Sequence, residues 1–201
     1  MKKMMMMAVA ALMATSIQAQ PGYDDTKHEI AVTYGVWSNS QWIDVFEDAI
    51  MAGINIRYGD DSFVGPISAE YFYHAKKWLG VGGIFAYGNN KQDTYDGKKK
   101  PENYYGESTN TYFTLMPAAK FDWLRSKNFG LYSKLAFGAT LRKETIKKSN
   151  PDRDDYNETA VHVNWQVSAL GIEAGSPKVR GFAELGFGEQ GILLAGVRYK
   201  F

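Results

Sequence analysis

No cysteine occurs in the 201 residues. Disulfides therefore cannot hold an exported form of this chain together, and no lipid anchor on a cysteine is expected. No apolar run approaches the roughly 20 residues of a membrane-spanning helix. With a mean hydropathy of −0.35, the chain is not a bundle of such helices. Neither sign of charge dominates: 23 basic against 22 acidic residues leaves +1, which gives no electrostatic case for nucleic acid. Glycine-rich phosphate loops, zinc-ligand spacings and nucleophile motifs are missing too, so no cofactor, metal or catalytic residue is expected.

Methionine is scarce except at the start, where six of the eight lie at positions 1, 4, 5, 6, 7 and 13. That text, MKKMMMMAVAALMATSIQAQ, has a basic beginning (Lys2, Lys3), an apolar stretch from Met4 to Met13 and a small-residue end. It is too short to span a membrane. Ile17-Gln18-Ala19 fits a signal peptidase site, so residues 1–19 are expected to be a signal peptide cleaved after Ala19, leaving 20–201 as one domain. Without Lys2 and Lys3 the remainder has 21 basic and 22 acidic residues, a net charge of −1. It is rich in aromatics, and Tyr, Phe and Trp are absent from the leader.

From there on, two kinds of text alternate. Period-two hydrophobicity, the mark of a strand with one apolar face, recurs in His28–Trp37, Ser62–His74, Trp78–Asn89, Thr111–Trp123, Phe129–Lys143, Thr159–Ala174, Val179–Phe187 and Ile192–Phe201. The connections after the second, fourth and sixth stretches are short. Those after the first and third, Ser38–Asp61 and Lys91–Asn110, are long and polar, and TIKKSNPDRDDYNE follows the fifth. Long loops at one end and short turns at the other is the pattern of a membrane barrel with both termini at the short-turn end. Within the first long connection, Ser40–Met51 places Trp42, Val45, Phe46, Ala49 and Ile50 at helical spacing, which predicts a short helix.

Sorting alternate residues gives one apolar face on nearly every strand, for example Val161, Val163, Trp165 and Val167 on the sixth. The opposite face carries Glu29, Glu70, Lys120, Lys134, Arg142, His162, Arg180, Glu184, Arg198 and Lys200. The third strand is less regular, with Trp78, Ile84 and glycines on the face opposite Leu79, Val81, Phe85 and Tyr87. A circumference of large apolar side chains is implausible on a soluble surface and crowded in an eight-stranded interior, so the polar face is expected inside. Six basic against three acidic inward groups do not balance, although a buried charge needs a partner. In the last hairpin, Phe187 and Leu193 on one face leave a three-residue loop, Glu189-Gln190-Gly191, and place Glu184 opposite Gly196.

The signal peptide, the eight alternating strands and the terminal GILLAGVRYKF resemble the small outer-membrane β-barrel proteins of Gram-negative bacteria, the group similar to outer membrane proteins A and X. The resemblance covers about His28 to Phe201. It implies an all-β, eight-stranded antiparallel up-and-down transmembrane barrel in the cell outer membrane. It implies contact with outer-membrane lipid and lipopolysaccharide, and a final-strand signal, here Leu193, Ala195, Val197, Tyr199 and Phe201, read by the barrel-assembly machinery. It departs from the two-domain members, since no periplasmic domain follows Phe201.

The expected function is structural or surface-binding, through the outside loops, as a monomer without enzymatic activity. A narrow channel, a lipid-modifying enzyme and a secreted lipocalin-like carrier are the alternatives. The lipid-A deacylase type resembles a His-x-Ser stretch facing lipid, whereas here the text is His162-Val163-Asn164 with His162 facing inward. Ser168 shares its face but lies six residues on, about 20 Å along a strand. Asp152, Asp154 and Asp155 cluster in a loop without a calcium-loop spacing. Eight strands leave an interior just filled by side chains, which predicts a plugged barrel.

Overall fold

The computed structural model describes residues 24–40, 56–96, 103–148 and 156–201. Eight antiparallel strands, each paired with its sequence neighbour, close into one barrel. They are β1 His28–Val36, β2 Ile56–Lys76, β3 Leu79–Asp96, β4 Asn103–Arg125, β5 Phe129–Lys148, β6 Tyr156–Gly175, β7 Val179–Gly188 and β8 Leu193–Lys200. Closure runs from Val36↔Leu193 to Glu29↔Lys200. His28 and Phe201 then exchange both backbone hydrogen bonds at 2.9 Å, so the last residue is tied into the wall.

The short turns are tight. Ser126 N–H donates to the Phe129 carbonyl and Ser176 N–H to the Val179 carbonyl, each at 2.9 Å. Over the height at which all eight strands pair, barrel closure leaves no sheet edge, which is how a chain without disulfides satisfies its backbone there.

Side chains alternate as period two requires. Val161, Val163, Leu115 and Phe137 point outward, each between 63% and 70% exposed. Lys120, Lys134, Arg180, Arg198 and Lys200 point inward and are 0% exposed. The interior is not wholly polar: Phe72, Ile84, Met116 and Ala136 pack together inside the β2–β5 side.

The outer apolar belt has a sharp upper limit. Tyr87, Phe113, Leu141 and Val161 form one cross-strand row. Two residues further along each strand, on the same face, the row reads Asn89, Thr111, Lys143 and Thr159. The strands do not stop there. β3 runs on to Asp96 and β4 begins at Asn103, so the wall continues for roughly 25 Å of chain at about 3.3 Å per residue. Residues 56–61 of the first long connection, and 91–96 and 103–110 of the second, are thus strand rather than loop. With polar residues on the outer face as well, the hydrophobic alternation that reveals a strand fades while the hydrogen-bond ladder persists. The barrel is lopsided: β2 to β6 rise high, whereas β7, β8 and β1 have ten, eight and nine residues.

Three local expectations are corrected. Trp78 lies in the β2–β3 turn, 39% exposed and stacked on Phe121 at 6.3 Å between ring centroids, so it belongs to the outside. The last hairpin pairs Glu184 with Leu194, not with Gly196; Gly196 faces Phe182. The register moves because the β7–β8 connection folds inward. Glu189 N–H donates to the Trp165 carbonyl at 2.9 Å and Ile192 N–H to the Val36 carbonyl at 2.8 Å, with Glu189 and Gln190 buried. Glycine is needed at both bends, at φ 139° for Gly188 and 112° for Gly191. Third, β6 shifts register between Ser168 and Leu170, so simple alternation fails beyond Ser168. As for the expected helix, Asn39 and Ser40 have helical backbone and its remainder lies outside the described residues, as do Asp152, Asp154, Asp155 and the leader.

Candidate functional site

The inward groups form one ionic network at the short-turn end and the middle of the barrel. Lys120 Nζ lies 2.7 Å from Glu29 and 3.6 Å from Asp122, and His74 bridges the same two carboxylates at 3.2 and 3.1 Å. Glu173 accepts from Arg180 Nη1 at 2.6 Å, from Lys120 at 3.4 Å, and from Arg198 and Lys200 at closer range. Higher up, Lys134 sits between Glu70 at 2.6 Å and Glu184 at 2.9 Å. Tyr132 Oη donates to Glu184 at 2.8 Å and Ser168 Oγ donates to it at 2.5 Å. The Arg198 guanidinium is sandwiched between the rings of Phe182 and Tyr132, at 4.4 and 4.8 Å from their centroids.

Eight of the ten inward residues read from sequence meet here: Glu29, Glu70, Lys120, Lys134, Arg180, Glu184, Arg198 and Lys200. Two do not. Arg142 is buried higher in the wall, with Nε 3.4 Å from Asn110 Oδ1 and Nη2 3.7 Å from Glu144. His162 is half-buried opposite Thr140, outside the network.

The missing negative charge comes from four acids that sequence reading left out. Asp24, in the segment before β1, folds across the barrel mouth and takes Arg180 Nη2 and Lys200 Nζ, both at 3.0 Å. Arg125 Nη2 donates to the Thr26 carbonyl of the same segment. Asp122 is on β4, Glu173 lies beyond the β6 register shift, and Glu189 is in the inward turn. With them, the buried charges among the described residues are Asp24, Glu29, Glu70, Asp122, Glu173, Glu184 and Glu189 against Lys120, Arg125, Lys134, Arg142, Arg180, Arg198 and Lys200. Seven face seven, and the imbalance itself was the signal that more acids had to turn inward.

At the opposite end Glu189 seals the lumen. Ser40 Oγ donates to it at 2.8 Å, Asn164 Nδ2 at 2.8 Å and Thr114 Oγ1 at 3.0 Å. Burial raises its pKa above the usual carboxylate value, and these hydrogen bonds oppose the rise only in part. Burial also pushes Asp24 upward, but the Lys200 ammonium, the Thr26 hydrogen bond and Arg125 outweigh it and hold the carboxyl below its ordinary value.

A polar, charge-matched interior behind an apolar outer belt is inside-out for a soluble protein and matches a barrel in lipid. This is the fold of the small eight-stranded outer-membrane barrels. The belt suits the chain to crossing a membrane with strands; among the described residues no helix is long and apolar enough to cross. No family model and no curated protein matches the chain. Among solved structures, it is similar to Ail, the attachment invasion locus protein of Yersinia pestis, in complex with the heparin analogue sucrose octasulfate. That match has 13% identity over 87% of this chain and 99% of that one, with a TM-score of 0.46. A second structure of Ail matches at 15% identity over 88% and 97%, with a TM-score of 0.44.

Proposed function

We propose that this outer-membrane barrel is a non-enzymatic surface-binding protein whose recognition surface is the wall of β2 to β6 beyond the apolar belt. The observation that carries this reading is the strand length. About 10 tilted residues suffice to cross a bilayer, and these strands have 18 to 23. A ladder raised into water on one side only makes a stiff platform, with Asn89, Lys91, Thr109, Thr111, Lys143, Lys147 and Thr159 on its outer face. The filled lumen opposes the channel reading. Residues 1–19 are the export signal, and Leu193, Ala195, Val197, Tyr199 and Phe201, which line the outer face of β8, are the signal for the assembly machinery. Lipopolysaccharide surrounds the belt at the level of the Tyr87–Val161 row.

The first test is location: carbonate-washed outer membrane, then a gel with and without boiling. The chain is expected in the washed membrane with a heat-dependent mobility shift; release into the soluble fraction overturns the reading. The second compares whole-cell binding to glycan and protein arrays for the wild type and for a Lys91→Gln, Lys143→Gln, Lys147→Gln variant that keeps the heat shift. Loss of a wild-type signal supports the platform. No wild-type signal, together with a change in lipid A acylation that depends on the chain, supports the enzyme instead.

A further inference from the structure

The outer belt is not smooth. Across β8, β1, β2, β3 and β4, one lipid-facing row reads Tyr199, Ile30, Tyr71, Gly83 and Pro117. The next reads Val197, Val32, Ala69, Phe85 and Leu115. The two small residues, Gly83 and Ala69, stand diagonally between the rings of Tyr71 and Phe85 and leave an apolar groove of about 620 Å³. Tyr71 is pinned beside it: its hydroxyl lies 2.9 Å from His28 Nδ1, and His28 stacks on Phe201.

Below the groove, toward the short-turn end, the surface changes character. Each short turn exposes lysine: Lys76 at the end of β2 and Lys77 just after it, Lys127 between β4 and β5, Lys178 between β6 and β7, with Lys27 before β1. Among the described residues there, Asp25 is the one exposed acidic side chain. These cations adjoin the aromatic edge of the belt. Lys76 Nζ lies 5.6 Å from the Trp78 ring centroid, and Trp78 stacks on Phe121. From Lys77 to Gly83 is six residues, roughly 20 Å along the strand and about 15 Å of depth once tilted, which is one leaflet of the hydrocarbon core.

We infer that this wall holds one anionic phospholipid of the periplasmic leaflet, with its phosphate on the Lys76–Lys77 turn beside Lys27 and an acyl chain ending in the groove at Gly83 and Ala69. Charge complementarity selects the headgroup. The apolar groove one leaflet above selects a molecule that carries chains, and disfavours a soluble anionic polymer of the periplasm, which has nothing to put there. The inference rests on the membrane placement proposed above.

Gly83 permits a clean test. A Cβ added there meets only the Met116 carbonyl oxygen, at 3.6 Å, an ordinary contact, so Gly83→Leu fills the groove from the lipid side without disturbing the backbone. Full-length protein is purified in mild detergent, checked for its heat shift, and titrated by native mass spectrometry with dipalmitoyl phosphatidylglycerol, dipalmitoyl phosphatidylethanolamine, lipopolysaccharide and soluble glycerophosphoglycerol. The wild type is expected to retain phosphatidylglycerol most strongly. Lys76→Gln/Lys77→Gln should weaken it about tenfold and erase the preference over phosphatidylethanolamine, and Gly83→Leu should weaken both phospholipids alike. Equal retention by all three proteins overturns the site, as does a loss confined to lipopolysaccharide. Binding of glycerophosphoglycerol as tight as that of the lipid, unchanged in Gly83→Leu, assigns the lysines to a soluble polymer instead. If the heat shift and outer-membrane location persist while lipid retention is insensitive to the variants, the site fails and the membrane reading stands.

Discussion

Arg180 and Arg198 stand directly opposite each other across the β7–β8 ladder, both fully buried. Like charges in that position repel, and the pair persists because Glu173 reaches from β6 to take one guanidinium on each of its oxygens. The same carboxylate also accepts from Lys200 and Lys120. Glu173→Gln leaves four cations without their common partner and is expected to cost about 3–5 kcal/mol, the range for breaking a buried ionic group by removing one member. Urea unfolding in micelles, followed by tryptophan fluorescence, measures it. A loss below about 1 kcal/mol would mean that Asp24, Glu29 and Glu70 suffice without it.

Glu173 also shows where sequence reading stops. Alternation places Val161, Val163, Trp165 and Val167 outside and Gln166 and Ser168 inside, as observed. Counted on past Ser168, it would send Glu173 into lipid. One register shift reverses the parity, and nothing in the text SALGIEAG marks it. Asp24 lies in non-periodic text before the first strand, and Glu189 in a turn whose inward fold depends on partners from β1, β4 and β6. Face and topology are local properties, repeated every two residues, and so were readable. The partners of each buried charge are set by long-range closure and were not. Conversely, six inward bases against three acids was a contradiction visible in sequence, and the structure resolves it by adding acids.

Asp24 closes the short-turn mouth through Arg180 and Lys200. Its carboxyl is held below the ordinary value of 3.8. A depressed carboxylate contributes stability that is fully present above that value and is lost as pH falls through the depressed folded one. The segment before β1 should therefore resist protease at neutral pH and come loose only in strong acid. Asp24→Asn should release it already at neutral pH, with the barrel's heat shift intact. Limited proteolysis followed by intact mass reads both. Equal protection of the variant at pH 7 would transfer the latch to the bond between Arg125 and the Thr26 carbonyl.

Phe137 is 63% exposed at mid-height on β5, next to Trp165 of β6. In lipid, Phe137→Arg puts a charge near the bilayer midplane and is expected to cost about 2–4 kcal/mol in vesicles. On a soluble surface the same change would be nearly neutral, within about 0.5 kcal/mol. Reversible unfolding from phospholipid vesicles distinguishes the two, and Lys143→Arg, above the belt on the same face, serves as the control with no expected loss.

Glu189 gives stability the opposite pH dependence to Asp24. Its carboxyl is pushed above the ordinary 4.5 by burial, so the folded barrel holds that proton more tightly than the unfolded chain does. Between 4.5 and the raised value the unfolded state binds fewer protons, and stability falls as pH rises through that window. Below it the contribution is complete. The donors around the group, Ser40, Thr114 and Asn164, limit the cost by serving the ionised form. Glu189→Gln removes the titration and should flatten the stability profile just above 4.5 while leaving the acid limb set by Asp24. Urea midpoints at half-unit pH steps, for wild type and variant in the same micelle, provide the measurement. A wild-type profile that rises with pH across this window would mean that the hydrogen bonds from Ser40, Thr114 and Asn164 outweigh burial.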